Sequence, residues 1–172
     1  MELLEFAPDE LRGDLAARVH ALLYDTWPED VPNEGDYYHG APTAVVILRD
    51  AQDVVAHLAI YQREVSIGGE TLEIGMLGGI VVAPGQRRRG HSKVIVRHAH
   101  ERLKRRSIPF SILFAYEPQV YASSGYRLMQ NVTRFIDHDG GEKTFVFRGS
   151  MYAELSARRW PGQLLDLRGP VV

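Results

Sequence analysis

The sequence predicts an α/β fold in which a mixed sheet is flanked by helices, within a single domain covering residues 1–172. Apolar residues recur at helical spacing in only two long segments, which begin near Pro8 and near His91. One strand-like segment precedes them, and the others lie between and after them. The resulting order is strand, helix, long loop, three strands, helix, strand, short helix, two strands. That order is too irregular for the strict strand–helix alternation of a Rossmann or barrel fold.

Each element has a local reason. "ELLEF" at residues 2–6 reads as a first strand. Pro8, Asp9 and Glu10 suit a helix start, and Leu11, Leu15, Val19, Leu22 and Leu23 then form one stripe up to Tyr24. "DTWPEDVPNEGDYYHGAP", residues 25–42, has no apolar periodicity and reads as a long loop, a length usually kept for function. "TAVVILRD" and "VVAHLAIYQREVSI" read as strands joined by a tight turn at Asp50–Asp53, and "IGGE" as a hairpin into "TLEIGMLGGIVV". Glycines inside that last strand (Gly75, Gly78 and Gly79) predict a bulge or a close backbone approach. Ile95, Ala99 and Leu103 mark a helix from about His91 to Arg106, closed by the basic "KRR". "IPFSILFA" reads as a buried strand and "EPQVYASSGY" as a short helix stopping near Gly125. "RLMQNVTRFIDHDGGEKTFVFRG" reads as a hairpin turning at Asp139–Gly141, and the tail "WPGQLLDLRGPVV" as irregular, a candidate dimer surface.

Composition excludes several functions. A formal charge of −2 makes the whole chain a poor polyanion binder, so no nucleic-acid partner is expected. With no cysteine, disulfides, thiolate metal sites and a cysteine nucleophile are excluded. His98 and His100 face different ways on a helix, and no metal is expected. No apolar run is long enough to span a membrane and no signal segment precedes the first strand, so a cytoplasmic location is expected.

The most telling stretch is "VVAPGQRRRGHSK", residues 81–93. An apolar strand gives way to a basic, glycine-punctuated turn that opens a helix. Free backbone N–H groups and the helix dipole make such a turn an anion site, and Arg87, Arg88 and Arg89 add forked donors suited to phosphate oxygens. Gly90 would let a ligand approach the main chain, while His91 and Ser92 open the helix. Neither a Walker loop nor a G-x-G-x-x-G fingerprint is present.

Arg87-x-x-Gly90-x-Ser92 after Val82-x-Pro84 resembles the pyrophosphate loop of the GCN5-related N-acetyltransferases, the GNAT superfamily. "QVYASSGYR", residues 119–127, is similar to that family's tyrosine-plus-"G-F/Y" segment, in the right order along the chain. The resemblance implies a central, mostly antiparallel sheet and acetyl-CoA as co-substrate. It also implies that backbone groups of Ile80, Val81 and Val82 pair with the pantetheine arm, beside a bulge near Gly78–Gly79. The layout of "HLAIYQREVSIGGETLEIGMLGGIVV" with "VYASSGY" is similar to the aminoglycoside 2′-N-acetyltransferases. The same block with the tail is also similar to the rhizobial nodulation N-acyltransferases. Amino-sugar acceptors and an antibiotic-resistance role follow as expectations.

By that resemblance, Tyr121 is the candidate catalytic donor to the leaving sulfur, and backbone N–H near Val82 the candidate oxyanion donor. Transfer is expected to be direct, since no cysteine can carry an acyl group. The position that carries a glutamate in the aminoglycoside enzymes is Gly78 here. Glu73 lies an odd offset away, on the opposite face of a regular strand. The missing carboxylate favours an acceptor amine of low basicity. For the acceptor wall, the candidates are Trp27, Glu29, Asp30, Asp36, Tyr37 and Tyr38, with Glu73 and Gly78; Tyr24, Asp25, Glu34, Asp137 and Asp139 add aromatic and acidic character. The alternatives are a longer acyl donor, a protein or peptide amine as acceptor, and a non-catalytic CoA-binding module.

Overall fold

The structure, a computed structural model, describes residues 1–30, 40–51 and 53–172. The chain forms two compact units: residues 1–61 with 78–99, and residues 62–77 with 100–172.

In the first unit, β1 (Glu2–Phe6) pairs antiparallel with β2 (Ala44–Arg49), from Glu2↔Arg49 to Phe6↔Val45. β2 pairs antiparallel with the first half of β3 (Val54–Ile67), with a register shift between Leu48 and Arg49. The Asp50–Asp53 turn forms as expected: Asp50 N–H donates to the Asp53 carbonyl at 3.1 Å, and Asp53 N–H to Asp50 Oδ1 at 2.8 Å. Helix α1 spans Gly13–Thr26, later than the sequence predicts. Pro8 and its acidic neighbours build a separate turn instead. Glu10 N–H donates to the Ala7 carbonyl at 3.0 Å, and Ala7 N–H to Glu10 Oε2 at 2.9 Å. The apolar stripe of α1 still does what its spacing requires. Val19, Leu22 and Leu23 are buried against Val45, Ile47, Val54 and Val81, with Leu11, Leu15 and Trp27 packed around them. Removing side chains of this size from water stabilises by roughly 1.5–3 kcal/mol each.

β4 (Glu70–Val82) ends in this unit, where Ala83 N–H donates to the Val55 carbonyl at 2.9 Å. A single 3₁₀ turn, Pro84–Gln86, leads to α2 (His91–Arg105).

The second unit carries β5 (Phe110–Phe114), α3 (Gln119–Ala122), β6 (Arg127–Leu128), β7 (Thr133–Ile136), β8 (Glu142–Phe145), β9 (Ser150–Glu154) and β10 (Leu165–Asp166). Its strand order is β6-β9-β5-β4-β3-β10-β7-β8. The β5–β9, β6–β9, β3–β10 and β7–β8 pairs are antiparallel. The β10–β7 and β4–β5 pairs are parallel, the latter through Gly75↔Ser111 and Met76↔Ile112. The fold is therefore the mixed, mostly antiparallel sheet with helices that the sequence predicts. The final third departs from expectation: five strands follow α3 rather than two. β9 is one of those not expected, and the tail is irregular as expected apart from the two-residue β10. Leu165 and Leu167 are fully buried. Trp160 stacks on Tyr152 at 5.2 Å, meets Phe110 edge-on at 5.2 Å, and donates its indole N–H to Asn131 Oδ1 at 2.9 Å.

Candidate functional site

The turn singled out in the sequence is open and exposed. After β4, Gln86 N–H closes on the Ala83 carbonyl at 2.8 Å. The chain then bends through Arg88, at φ +63°, and Gly90, at φ +82°, before Val94 N–H makes the first helical bond to the Gly90 carbonyl at 3.2 Å. Among the described residues, the backbone N–H groups from Arg88 to Lys93 make no hydrogen bond, so the helix N-terminus is left with its donors free. Arg87, Arg88, Arg89 and Gly90 are exposed, so the turn is not filled by its own side chains. A Cβ at Gly90 would meet nothing within 4 Å. Its left-handed φ is therefore what calls for glycine, rather than crowding from the protein.

The three arginines are not equivalent. Arg87 folds back and donates its Nε–H to the Val82 carbonyl at 3.1 Å, while no side-chain bond of Arg88 or Arg89 is present among the described residues. Along the preceding strand Ile80 and Val82 are half-buried and Val81 is buried. Where the sequence predicts a bulge, Gly79 takes φ +56°, a left-handed conformation inside the strand.

Tyr121 lies on α3 in the second unit, edge-on to Tyr126 at 6.3 Å. Burial, with Glu117 adding to it, pushes its hydroxyl up to about 12, so it is a donor at neutral pH. Tyr126 is fully buried in a polar chain, with its hydroxyl 2.6 Å from Ser111 Oγ and 3.1 Å from His100 Nε2. Burial, then Lys104, pushes His100 down to about 4. A neutral His100 accepts at Nε2 from the Tyr126 hydroxyl, which in turn accepts from Ser111.

The remaining candidates fall in different parts of the chain. Trp27 packs on the core of the first unit. Glu29 and Asp30 are exposed in the turn after it, where Asp30 N–H donates to the Trp27 carbonyl at 3.1 Å. Asp36, Tyr37 and Tyr38, with Glu34, lie outside the described residues. Glu73 is exposed in the second unit, and Gly78 is buried in the first. Asp137 and Asp139 share the single Lys143 across their hairpin, so their charge is partly offset. His98 pairs with Glu5, and no group of three metal-ligating side chains occurs among the described residues.

One cluster escaped sequence reading. Tyr116, 81% exposed, meets Phe147 edge-on at 6.2 Å. Phe147 leads to Phe145, which touches both Phe114 and Phe135. The alternation Phe145-Val146-Phe147 was the available signal, since it puts both rings on one face.

Comparison with known proteins agrees with this geometry. The family model described as an acetyltransferase (GNAT) domain matches residues 13–129. A comparison of the sequence with curated proteins finds no match. Among solved structures, a GNAT family N-acetyltransferase from Escherichia coli in complex with CoA is similar, with a TM-score of 0.65 and 15% identity, over 96% of this chain and 89% of that one. A GNAT family acetyltransferase from Brucella melitensis in complex with acetyl-CoA is similar, with a TM-score of 0.58 and 14% identity, over 94% and 93%. The GCN5-related N-acetyltransferase from Kribbella flavida gives a TM-score of 0.56 at 19% identity over 73% of this chain, which spans only 34% of that protein's length. With a family model covering most of its length, the chain belongs to the GNAT acetyltransferases.

Proposed function

We propose that the protein transfers the acetyl group of acetyl-CoA to a primary amine of a small cationic acceptor, with an amino sugar of the aminoglycoside type as the best candidate. The observation that carries this reading is the open turn from Arg88 to Lys93, whose free amides, beside exposed arginines, suit the diphosphate of a coenzyme. The main chain of Ile80–Val82 is the proposed partner of the pantetheine arm, as in strand addition to a sheet edge.

Tyr121 is the proposed donor to the leaving sulfur. With its hydroxyl pushed up to about 12, full proton transfer to a thiolate of pKa near 8.5 is uphill by about 5 kcal/mol. Its role is therefore a hydrogen bond that strengthens as sulfur gains charge. Gly78 leaves no carboxylate at the position where the aminoglycoside enzymes carry one, which favours an acceptor amine less basic than lysine. The exposed ring of Tyr116 beside the exposed Glu117 offers a face and a charge to a cationic sugar.

The test is CoA release from acetyl-CoA against a panel of aminoglycosides, polyamines and lysine peptides, paired with calorimetric titration of CoA. One CoA site per chain and fastest turnover with amino sugars are expected. No heat on titrating CoA would remove the coenzyme reading, and faster turnover of lysine peptides would remove the acceptor. Tyr121→Phe should lower kcat about 100-fold while changing the acetyl-CoA KM by less than about threefold. An unchanged kcat would take Tyr121 out of the reaction.

A further inference from the structure

The left-handed peptide at Gly79 in β4 is held from inside the first unit by a residue that carries no local sequence signal. His57, on β3, is 1% exposed. Its Nδ1 lies 2.8 Å from the Gly79 carbonyl. A carbonyl only accepts, so Nδ1 carries the proton and Nε2 presents a lone pair. Nε2 is buried without a hydrogen-bond partner among the described residues. A buried, unpaired acceptor is unfavourable, and a leucine would fill the same space without it. Packing therefore does not explain an imidazole here, whereas its bond to Gly79 does.

The fit at Gly79 is close. The residue takes φ +56°, and a Cβ there would stand 3.2 Å from His57 Cε1 and 3.4 Å from its Nδ1. The ring thus lies against the glycine and bonds its carbonyl from the buried side. Gly79 itself is exposed, and Ile80 and Val82 are half-buried, so this strand is open to a ligand directly beyond the pinned peptide.

We propose that His57 is a positioning residue for acyl transfer: by donating its Nδ1–H to the Gly79 carbonyl it fixes the left-handed peptide that aims the main chain of Ile80–Val82 at the acyl-CoA arm. The proposal rests on the reading above that this strand receives the arm. It makes a distinction that a general loss of packing would not. His57 should matter for the arm and the acyl group, and not for the diphosphate held at the separate turn.

The experiment measures dissociation constants of two probes, acetyl-CoA and adenosine 3′-phosphate 5′-diphosphate, the part of CoA without the arm. In His57→Leu, acetyl-CoA should bind about tenfold more weakly, and the nucleotide within twofold of the unsubstituted protein. His57→Asn, whose amide keeps a donor near the place of Nδ1, should recover acetyl-CoA binding to within threefold. Should His57→Leu not fold, His57→Gln, which carries its amide farther out, takes its place in the comparison with His57→Asn. Unchanged acetyl-CoA affinity, or equal weakening of both probes, would overturn the assignment. An unsubstituted protein that binds neither probe would overturn the coenzyme reading, and this proposal with it.

Discussion

Acidification from about pH 7 to about pH 4.5 is expected to remove on the order of 5 kcal/mol of folding stability through two histidines. Burial pushes His57 down to about 4, and burial with Lys104 does the same to His100, against an ordinary value of 6.5 for each. Above 6.5 both are neutral whether folded or not, and the full stability is present. Between 6.5 and 4 the unfolded chain takes up protons that the folded chain refuses, so stability falls as pH falls. Each histidine contributes at most about 3 kcal/mol, and the loss ends near pH 4. Glu70, Asp137 and Glu154, all held below their ordinary range by hydrogen bonds (to Arg158, Lys143 and the Trp160 amide, respectively), act only in a lower window. Urea midpoints measured across this range check the prediction. The slope should correspond to nearly two protons taken up on unfolding, and to one fewer in His57→Asn. A midpoint that stays flat between pH 7 and 5 would contradict it.

Gly149→Ala is expected to be the most damaging single methyl in the second unit. A Cβ at Gly149 would stand 1.7 Å from the Ala115 carbonyl oxygen and 2.9 Å from Phe147 Cε1. The carbonyl belongs to the backbone just past β5, and Ala115 N–H donates to the Gly149 carbonyl at 2.8 Å. Relieving the clash means parting the two segments where β9 begins, so a loss of at least about 3 kcal/mol follows, or about 10 °C in Tm. Gly162→Ala is the matched control, since a Cβ there meets nothing within 4 Å. Equal melting of the two variants would show that the β5–β9 junction can give.

Sequence pattern alone located the parts of the fold that repeat over several residues. The bounds of β3 emerged residue for residue because a long apolar run ends in the Gly68–Gly69 hairpin. The basic turn between β4 and α2 was legible because strand, turn and helix start are contiguous. What stayed hidden depends on pairing between distant segments. β9 is only five residues, "SMYAE", and becomes a strand by lying between β5 and β6. The His57–Gly79 bond joins positions 22 residues apart, and the Ser111–Tyr126 bond positions 15 apart, so neither leaves a local signature. The late start of α1 was missed for another reason: Pro8 and Glu10 read equally well as a helix start and as the turn they form.

The bond from Arg87 to the Val82 carbonyl divides labour inside the basic triplet. Lysine at 88 or 89 keeps the positive charge and should be tolerated for CoA affinity. Lysine at 87 keeps the charge too, yet its flexible ammonium cannot reproduce the planar Nε–H brace, so affinity should drop there alone, as a salt-insensitive defect of shape. Three neighbouring cations that look interchangeable by formal charge would then differ in kind: one is masonry, the other two are field.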